Sequence, residues 1–300
     1  LILVDVLNDE TSTPEEKRRT VDNLRSVAVN HAARFDFYSG DIGDGKSMAP
    51  ILSRHAPSIV IHAAARVRDR TSVLQPRAFI ESNVNATSDL LEVIGQVNCV
   101  EHFILTSSRS AVGEAFQADR IMSETDALRP INPYGATKAA AEHLCHSFHA
   151  KTGLPVTVLR LNPQICSRSD MMPRRILEAL HFGMEIVRFG TGESSRDWIS
   201  PDDTADAVWS AVEKHAGFQV FLLGTGRATT LNDLILAAEI TVGKKALIRS
   251  VPHPTGDEIH GGIADSSLAG KILGWRPTRS LEQALDDLYT NLKRIHFSAS

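Results

Sequence analysis

Six short apolar runs, at residues 1–4, 35–38, 58–62, 102–106, 156–161 and 220–223, alternate with longer segments of helical periodicity at 14–29, 76–97 and 134–152. Runs of this kind suit strands buried on both faces, and parallel strands need connections of about a dozen residues or more, usually a helix. The alternation predicts a doubly wound α/β fold with a parallel sheet, Rossmann-like, over residues 1–160. Beyond residue 161 the pattern loosens into loops at 168–173, 190–198 and 253–265, interrupted by helical segments at 175–182 and 202–214. Residues 161–300 are therefore expected to form a smaller substrate lobe, with 219–226 returning as a strand to the main sheet. No Pro/Ser linker separates the two parts, and no internal repeat is present.

Composition removes several classes of function. With a formal charge of -4, and Lys and Arg scattered among acids, the 300-residue chain has no basic field for a nucleic-acid backbone. No apolar run approaches the ~18 residues of a membrane span, so no membrane contact is expected within this sequence. Cys99, Cys145 and Cys166 lack metal-ligand spacing and read as packing residues of a reducing, cytoplasmic compartment. The twelve histidines form no metal pair, so no metal is expected, and His62 reads as a packed strand residue. The basic run KRRT at 17–20 follows two glutamates and reads as a solvated helix face. The chain opens at Leu1 inside a strand-like run, which predicts further sequence upstream, where an anchor would lie outside this sequence.

The sharpest chemical signal is NPYGATKAAAEHLC, in which Tyr134 and Lys138 stand four apart at the start of a helix and so emerge on one face. A free phenol titrates near 10, and a tyrosine acting as a base near neutrality needs an adjacent cation to stabilise its phenolate. Lys138 is placed to supply it. A strand ending FILTSS delivers Ser107 and Ser108 to the carboxyl edge of the sheet, where doubly wound folds bind ligands.

With these residues the sequence resembles the extended short-chain dehydrogenase/reductase family, and within it the nucleotide-sugar 4-epimerases, to Leu288. The resemblance implies a catalytic set of Ser108, Tyr134 and Lys138, with NAD as cofactor. It further implies that Asp5 binds the adenosine ribose, that Asp41 and Ile42 of SGDIGD meet the adenine, and that Ala63, Ala64 and Ala65 line the cofactor. Asn83 of NVNAT contacts it, as do Tyr134 and Lys138. For the substrate, Arg196 of RDWISPDD grips the nucleotide diphosphate, Asn162 is directed at the same group, and Asp257 lies near the nucleoside. LGWRPTRSLEQAL at 273–285 reads as a structural closing turn and helix. The family's glycine-rich phosphate loop and first strand are not in the sequence, and are expected roughly 20 to 30 residues upstream of Leu1. Family members pack two long helices across a two-fold axis, so the segments at 76–97 and 134–152 are expected to form a homodimer, with Phe79, Val84, Leu90, Leu91, Ile94, Ala139, Leu144 and Phe148 as its apolar positions.

Three partial matches point to UDP-glucuronate as the UDP-sugar: LVDVLNDE at 3–10, RSDMM at 168–172, and Arg70, eight residues past His62, which would face the sugar carboxylate. Dehydratases of the family carry an Asp-Glu pair just after the serine, and decarboxylases a glutamate; this chain has Arg109 and Ser110 there. The expected reaction is NAD-dependent epimerisation at C4 between UDP-glucuronate and UDP-galacturonate. The alternatives are a non-catalytic nucleotide-sugar or dinucleotide binding protein and a sister NAD-dependent nucleotide-sugar dehydratase or decarboxylase.

Overall fold

The computed structural model describes residues 1–8, 13–113, 119–168, 171–214, 216–252 and 260–294. In chain order these form β1 (Ile2–Asp5), α1 (Pro14–Asn30), β2 (Asp36–Ser39), α2 (Gly45–His55), β3 (Ile59–His62), α3 (Asp69–Leu74), α4 (Pro76–Ile80), a π turn (Glu81–Asn85), α5 (Ala86–Val97), β4 (His102–Ser108), a 3₁₀ turn (Arg109–Ala111), β5 (Ile121–Met122) and α6 (Pro133–Thr152). There follow β6 (Val156–Leu161), α7 (Met172–Phe182), β7 (Glu185–Phe189), β8 (Ser195–Arg196), α8 (Pro201–Glu213), β9 (Phe218–Leu223), β10 (Thr229–Thr230), α9 (Leu231–Val242), β11 (Leu247–Val251), β12 (Ile263–Ala264), α10 (Ser267–Ile272) and α11 (Leu281–Leu292). The chain groups into two compact units: Leu1–Ala111 with Pro130–Thr157 and His215–Gln219, and Val112–Arg129 with Val158–Lys214 and Val220–Ser300. Among the described residues no helix is long and apolar enough to cross a membrane.

The α/β alternation expected from the sequence is present. One sheet runs β3-β4-β6-β9, with β3 and β4 parallel, and β1 pairs with β2, also parallel, as a separate two-stranded sheet. The separation agrees with the expectation that the family's first strand is not in this sequence: among the described residues no strand bridges β1 to β3. Phe103, Ile104 and Leu105 of β4 are fully buried, as a central strand covered on both faces requires.

In the first unit, α6 begins where its sequence directs. Asn132 caps it by accepting from the Gly135 N–H (2.8 Å), Pro133 occupies the first turn where its missing donor costs nothing, and Gly153 ends it at a φ of 74°. The segment 76–97, expected as one helix, is instead α4, the π turn and α5. The widened turn carries Asn83, whose amide is committed to the loop after β3. Such insertions into a helix recur at functional sites.

The second unit has its own core, in which α7, α9 and α11 bury Ile176, Leu177, Leu180, Leu234, Leu285 and Leu292 against one another. Each such side chain contributes about 1.5–3 kcal/mol relative to an exposed one. The closing segment is held by Asp203. Its carboxylate accepts from Thr278 N (2.8 Å), Thr278 Oγ1 (2.9 Å) and Arg279 N (3.2 Å), while its carbonyl accepts from the Trp275 indole (2.8 Å). The expectation that LGWRPT is structural therefore has a specific partner.

Candidate active site

Ser108 ends β4 and is 8% exposed; its Oγ accepts from the Ser110 N–H (3.1 Å). That bond occupies a lone pair and leaves the hydroxyl proton to be donated elsewhere. Tyr134 sits in the first turn of α6, half-buried, with its ring edge-on to Phe79 at a centroid distance of 6.3 Å. Lys138 follows one turn later and is 4% exposed, with its Nζ donating to the Thr106 carbonyl (2.6 Å). The lysine is thereby tied to the strand that carries Ser108. Burial pulls its pKa down to about 8, so the ammonium is close to its titration point near neutrality.

Gly135 is what lets these elements meet. A Cβ there would overlap the Ser110 carbonyl oxygen, and would lie 2.9 Å from its carbon and 3.0 Å from Pro130 Cβ. Only a glycine admits the start of α6 so close to the turn after Ser108. The one mark of Gly135 in the sequence is its place between Tyr134 and Lys138.

Behind the site, His62 at the end of β3 is 4% exposed and shares a hydrogen bond with Thr87 Oγ1 (2.9 Å). Burial, and then the charge of Lys138, push its pKa down to about 3, so it is a neutral packed residue, as expected. Cys145 is fully enclosed, and burial raises its thiol to about 12, which makes it inert. Beyond His62, Ala63 and Ala64 are exposed and Ala65 is half-buried. Asn83 spends its amide on the same loop, accepting from Arg66 N (2.7 Å) and donating to Arg66 O (2.9 Å) and Thr137 Oγ1 (3.0 Å). Asn83 thus fixes the path of the loop past β3. Arg68, two residues on, has a φ of 102°, and Arg70 is exposed on α3.

Asp5 ends β1, and its Oδ1 accepts from Leu7 N (2.7 Å) and Lys17 Nζ (3.2 Å). Lys17 is therefore not part of a wholly solvated face: its side chain is 16% exposed and turned to Asp5 and Asn8. One helical residue has been drawn inward by a carboxylate nearby in space. Asp41 is exposed and accepts from Gly43 N (2.9 Å), while Ile42 is half-buried. Strand-end carboxylates and a methyl-lined strand end suit a dinucleotide, whose ribose needs acceptors and whose rings need flat apolar walls. Among the described residues the Asp5 Oδ2 makes no hydrogen bond, which leaves it available as such an acceptor.

In the second unit, Asn162 follows β6, is 3% exposed, and its Oδ1 has no hydrogen-bond partner among the described residues. Arg196 lies on β8, half-buried, with Nη1 donating to the Ser195 carbonyl (2.8 Å). Its neighbour Asp197 was not singled out from the sequence, yet it is fully enclosed. It accepts from Thr225 N (2.8 Å), Thr225 Oγ1 (2.6 Å), Gly226 N (3.1 Å) and Ala264 N (3.0 Å), joining β8 to the ends of β9 and β12. The sequence shows only an acid directly after an arginine; the enclosure comes from residues distant in the chain. Asp257 falls outside the described residues.

A parallel α/β sheet with a strand-end serine, and with tyrosine and lysine one turn apart on the following helix, defines an extended short-chain dehydrogenase/reductase. The chain belongs to the family described as GDP-mannose 4,6 dehydratase, which matches residues 4–288, and so to the nucleotide-sugar epimerases and dehydratases. It is 30% identical over 285 residues to UDP-glucuronate 4-epimerase of Thermodesulfobacterium geofontis, covering 94% of this chain and 85% of that one. It is 27% identical over 295 residues to dTDP-glucose 4,6-dehydratase 1 of Escherichia coli, covering 88% and 80%. Among solved structures, UDP-glucuronic acid 4-epimerase from Bacillus cereus, in complex with UDP-glucuronic acid and NAD, superposes with a TM-score of 0.85 at 27% identity, covering 98% of this chain and 91% of that one.

Proposed function

We propose that this protein is an NAD-dependent 4-epimerase that interconverts UDP-glucuronate and UDP-galacturonate. The observation that carries the reading is the arrangement around β4 and α6: Ser108 with its hydroxyl proton available, Tyr134 in the first turn, and Lys138 buried one turn on and tied to Thr106. Tyr134 takes the proton of the sugar 4-hydroxyl as a phenolate, and Lys138 stabilises that charge. Ser108 donates to the 4-oxygen and fixes its position. NAD, when bound, supplies reversible hydride acceptance at C4. Asp5, Asp41, Ile42 and Ala63 to Ala65 would hold it, and a carboxylate at Asp5 favours a free ribose hydroxyl over a phosphate.

Epimerisation is favoured over dehydration because eliminating water needs an acid pair after the serine, and the buried Arg109 and Ser110 stand there instead. Substrate binding falls to Asn162, Arg196 and Asp257, with Arg70 facing the sugar carboxylate. The relative that is a UDP-glucuronate 4-epimerase supports this substrate, while the dehydratase relative does not decide it. The homodimer is proposed with a narrower basis than the sequence offered. Phe79, Leu90, Leu91, Ile94 and Ala139 are buried within this chain, so Val84, Leu144 and Phe148, which are half-buried, remain for a partner. Sedimentation velocity reads that state directly.

The reading is tested by incubating the protein with UDP-glucuronate and following the anomeric proton by NMR, with UDP-galacturonate as the expected product. A 4-keto-6-deoxy product from dTDP-glucose, with UDP-glucuronate unchanged, would overturn it. In Arg70→Ala, kcat/KM should fall by about 30-fold or more for UDP-glucuronate and much less for UDP-glucose, since only the first loses a charge partner. Equal losses would remove Arg70 from the sugar site.

A further inference from the structure

Glu142 has no part in the chemistry above, yet it lies on α6 one turn beyond Lys138, on the same helix face, and is 3% exposed. Its carboxylate accepts from Ser107 Oγ (2.5 Å), while Lys138 donates to the carbonyl of the preceding residue, Thr106 (2.6 Å). Successive turns of one helix thus hold successive residues at the end of β4, one through a cation and the other through an acid. An enclosed carboxylate is costly unless its charge is used.

We propose that Glu142 is a positioning residue for Lys138: its carboxylate, fixed by Ser107, holds the lysine in place as the cation that Tyr134 requires. The inference rests on the reading of Tyr134 and Lys138 as the catalytic pair. Burial draws the Lys138 pKa down to about 8, and the charge of Glu142 acts in the opposite direction. Of the other titratable groups that face the lysine, Tyr134 lies one turn earlier on the same helix face and is the phenol that the lysine serves, while burial holds Cys145, on the same helix, at about 12 and His62 of β3 at about 3, so both are neutral. Of the elements packed against α6, α3, α4, the π turn and α5 carry Asp69, Arg70, Arg77, Glu81, Asp89 and Glu92, all exposed. The buried His102 of β4 is bonded to Thr157 Oγ1 (2.9 Å). Buried Arg109 of the 3₁₀ turn adds the charge of a guanidinium.

The test is a titration of Lys138 by side-chain NMR in the lysine-labelled full chain and in Glu142→Gln, an isosteric change that can keep the Ser107 bond. The Lys138 midpoint should fall by about one pH unit or more in the variant. The alkaline limb of kcat/KM should move down with it, and Glu142→Asp should restore part of the shift. A merely structural role would lower kcat without moving either midpoint. If Glu142→Gln does not fold, Ser107→Ala, which removes one hydrogen bond to the carboxylate, should give a smaller fall in the same direction. An unmoved Lys138 midpoint in the folded variants overturns the inference. A moved midpoint in a protein that does not turn over UDP-glucuronate supports it, and rejects the substrate reading alone.

Discussion

Gly135 packs its α-carbon against the carbonyl of Ser110, with no room for a methyl between them. This contact seats the first turn of α6 on the turn that follows Ser108. Gly135→Ala should therefore cost about 1–3 kcal/mol of stability as the helix start is pushed away, and should lower kcat more than it raises KM. Urea unfolding and steady-state kinetics check both; a variant with unaltered stability and kcat would show that the helix start yields without consequence.

Tyr134→Phe removes the phenol and leaves the ring packed edge-on to Phe79. Turnover should fall by about 100-fold to 10,000-fold while UDP-sugar affinity, read by calorimetry, stays within a factor of about two. Retained turnover would take the proton transfer away from Tyr134.

His62 gives the fold an acid weakness. Its pKa is about 3 in the folded chain against 6.5 when free, so below pH 6.5 the unfolded chain binds a proton that the native one refuses. Stability is unaffected by this residue above pH 6.5 and is lost progressively as the pH falls toward 3. Between pH 6.5 and pH 5 the loss is about 2 kcal/mol. In His62→Gln the same pH change should cost less by about that amount in urea titrations; equal pH dependence in the two proteins would mean that His62 protonates without unfolding.

Arg68 holds a φ of 102° with no side-chain cap bond to α3. Glycine adopts that conformation without the steric cost, so Arg68→Gly should raise stability by about 1 kcal/mol, seen as a higher Tm. A lower Tm would show that the guanidinium contributes more than the backbone conformation costs.

The α/β class, six of the strands and the Tyr134–Lys138 pair were legible because they are local. Strand runs announce themselves by apolar content, and a spacing of four on a helix fixes a shared face whatever surrounds it. Asn132, Pro133 and Gly153 act at the ends of α6 through contacts within a few residues, which are local in the same sense. The π turn at 81–85 was not legible. It accompanies the commitment of Asn83 to a backbone segment 17 residues earlier, and periodicity carries no trace of such a partner.

What the sequence determined by itself, then, was the succession of elements and which side chains share a helix face, since these depend on backbone geometry within a few residues. The tertiary structure alone decided the environment of those side chains. It enclosed Lys138 and Glu142 between α6 and β4, turned Lys17 inward to Asp5, closed Asp197 within a ring of backbone donors, and spent on its own core most of the apolar positions that the sequence had offered to a partner. Burial and charge pairing are sums over groups distant in the chain, and those sums fix the protonation state of a lysine or a histidine.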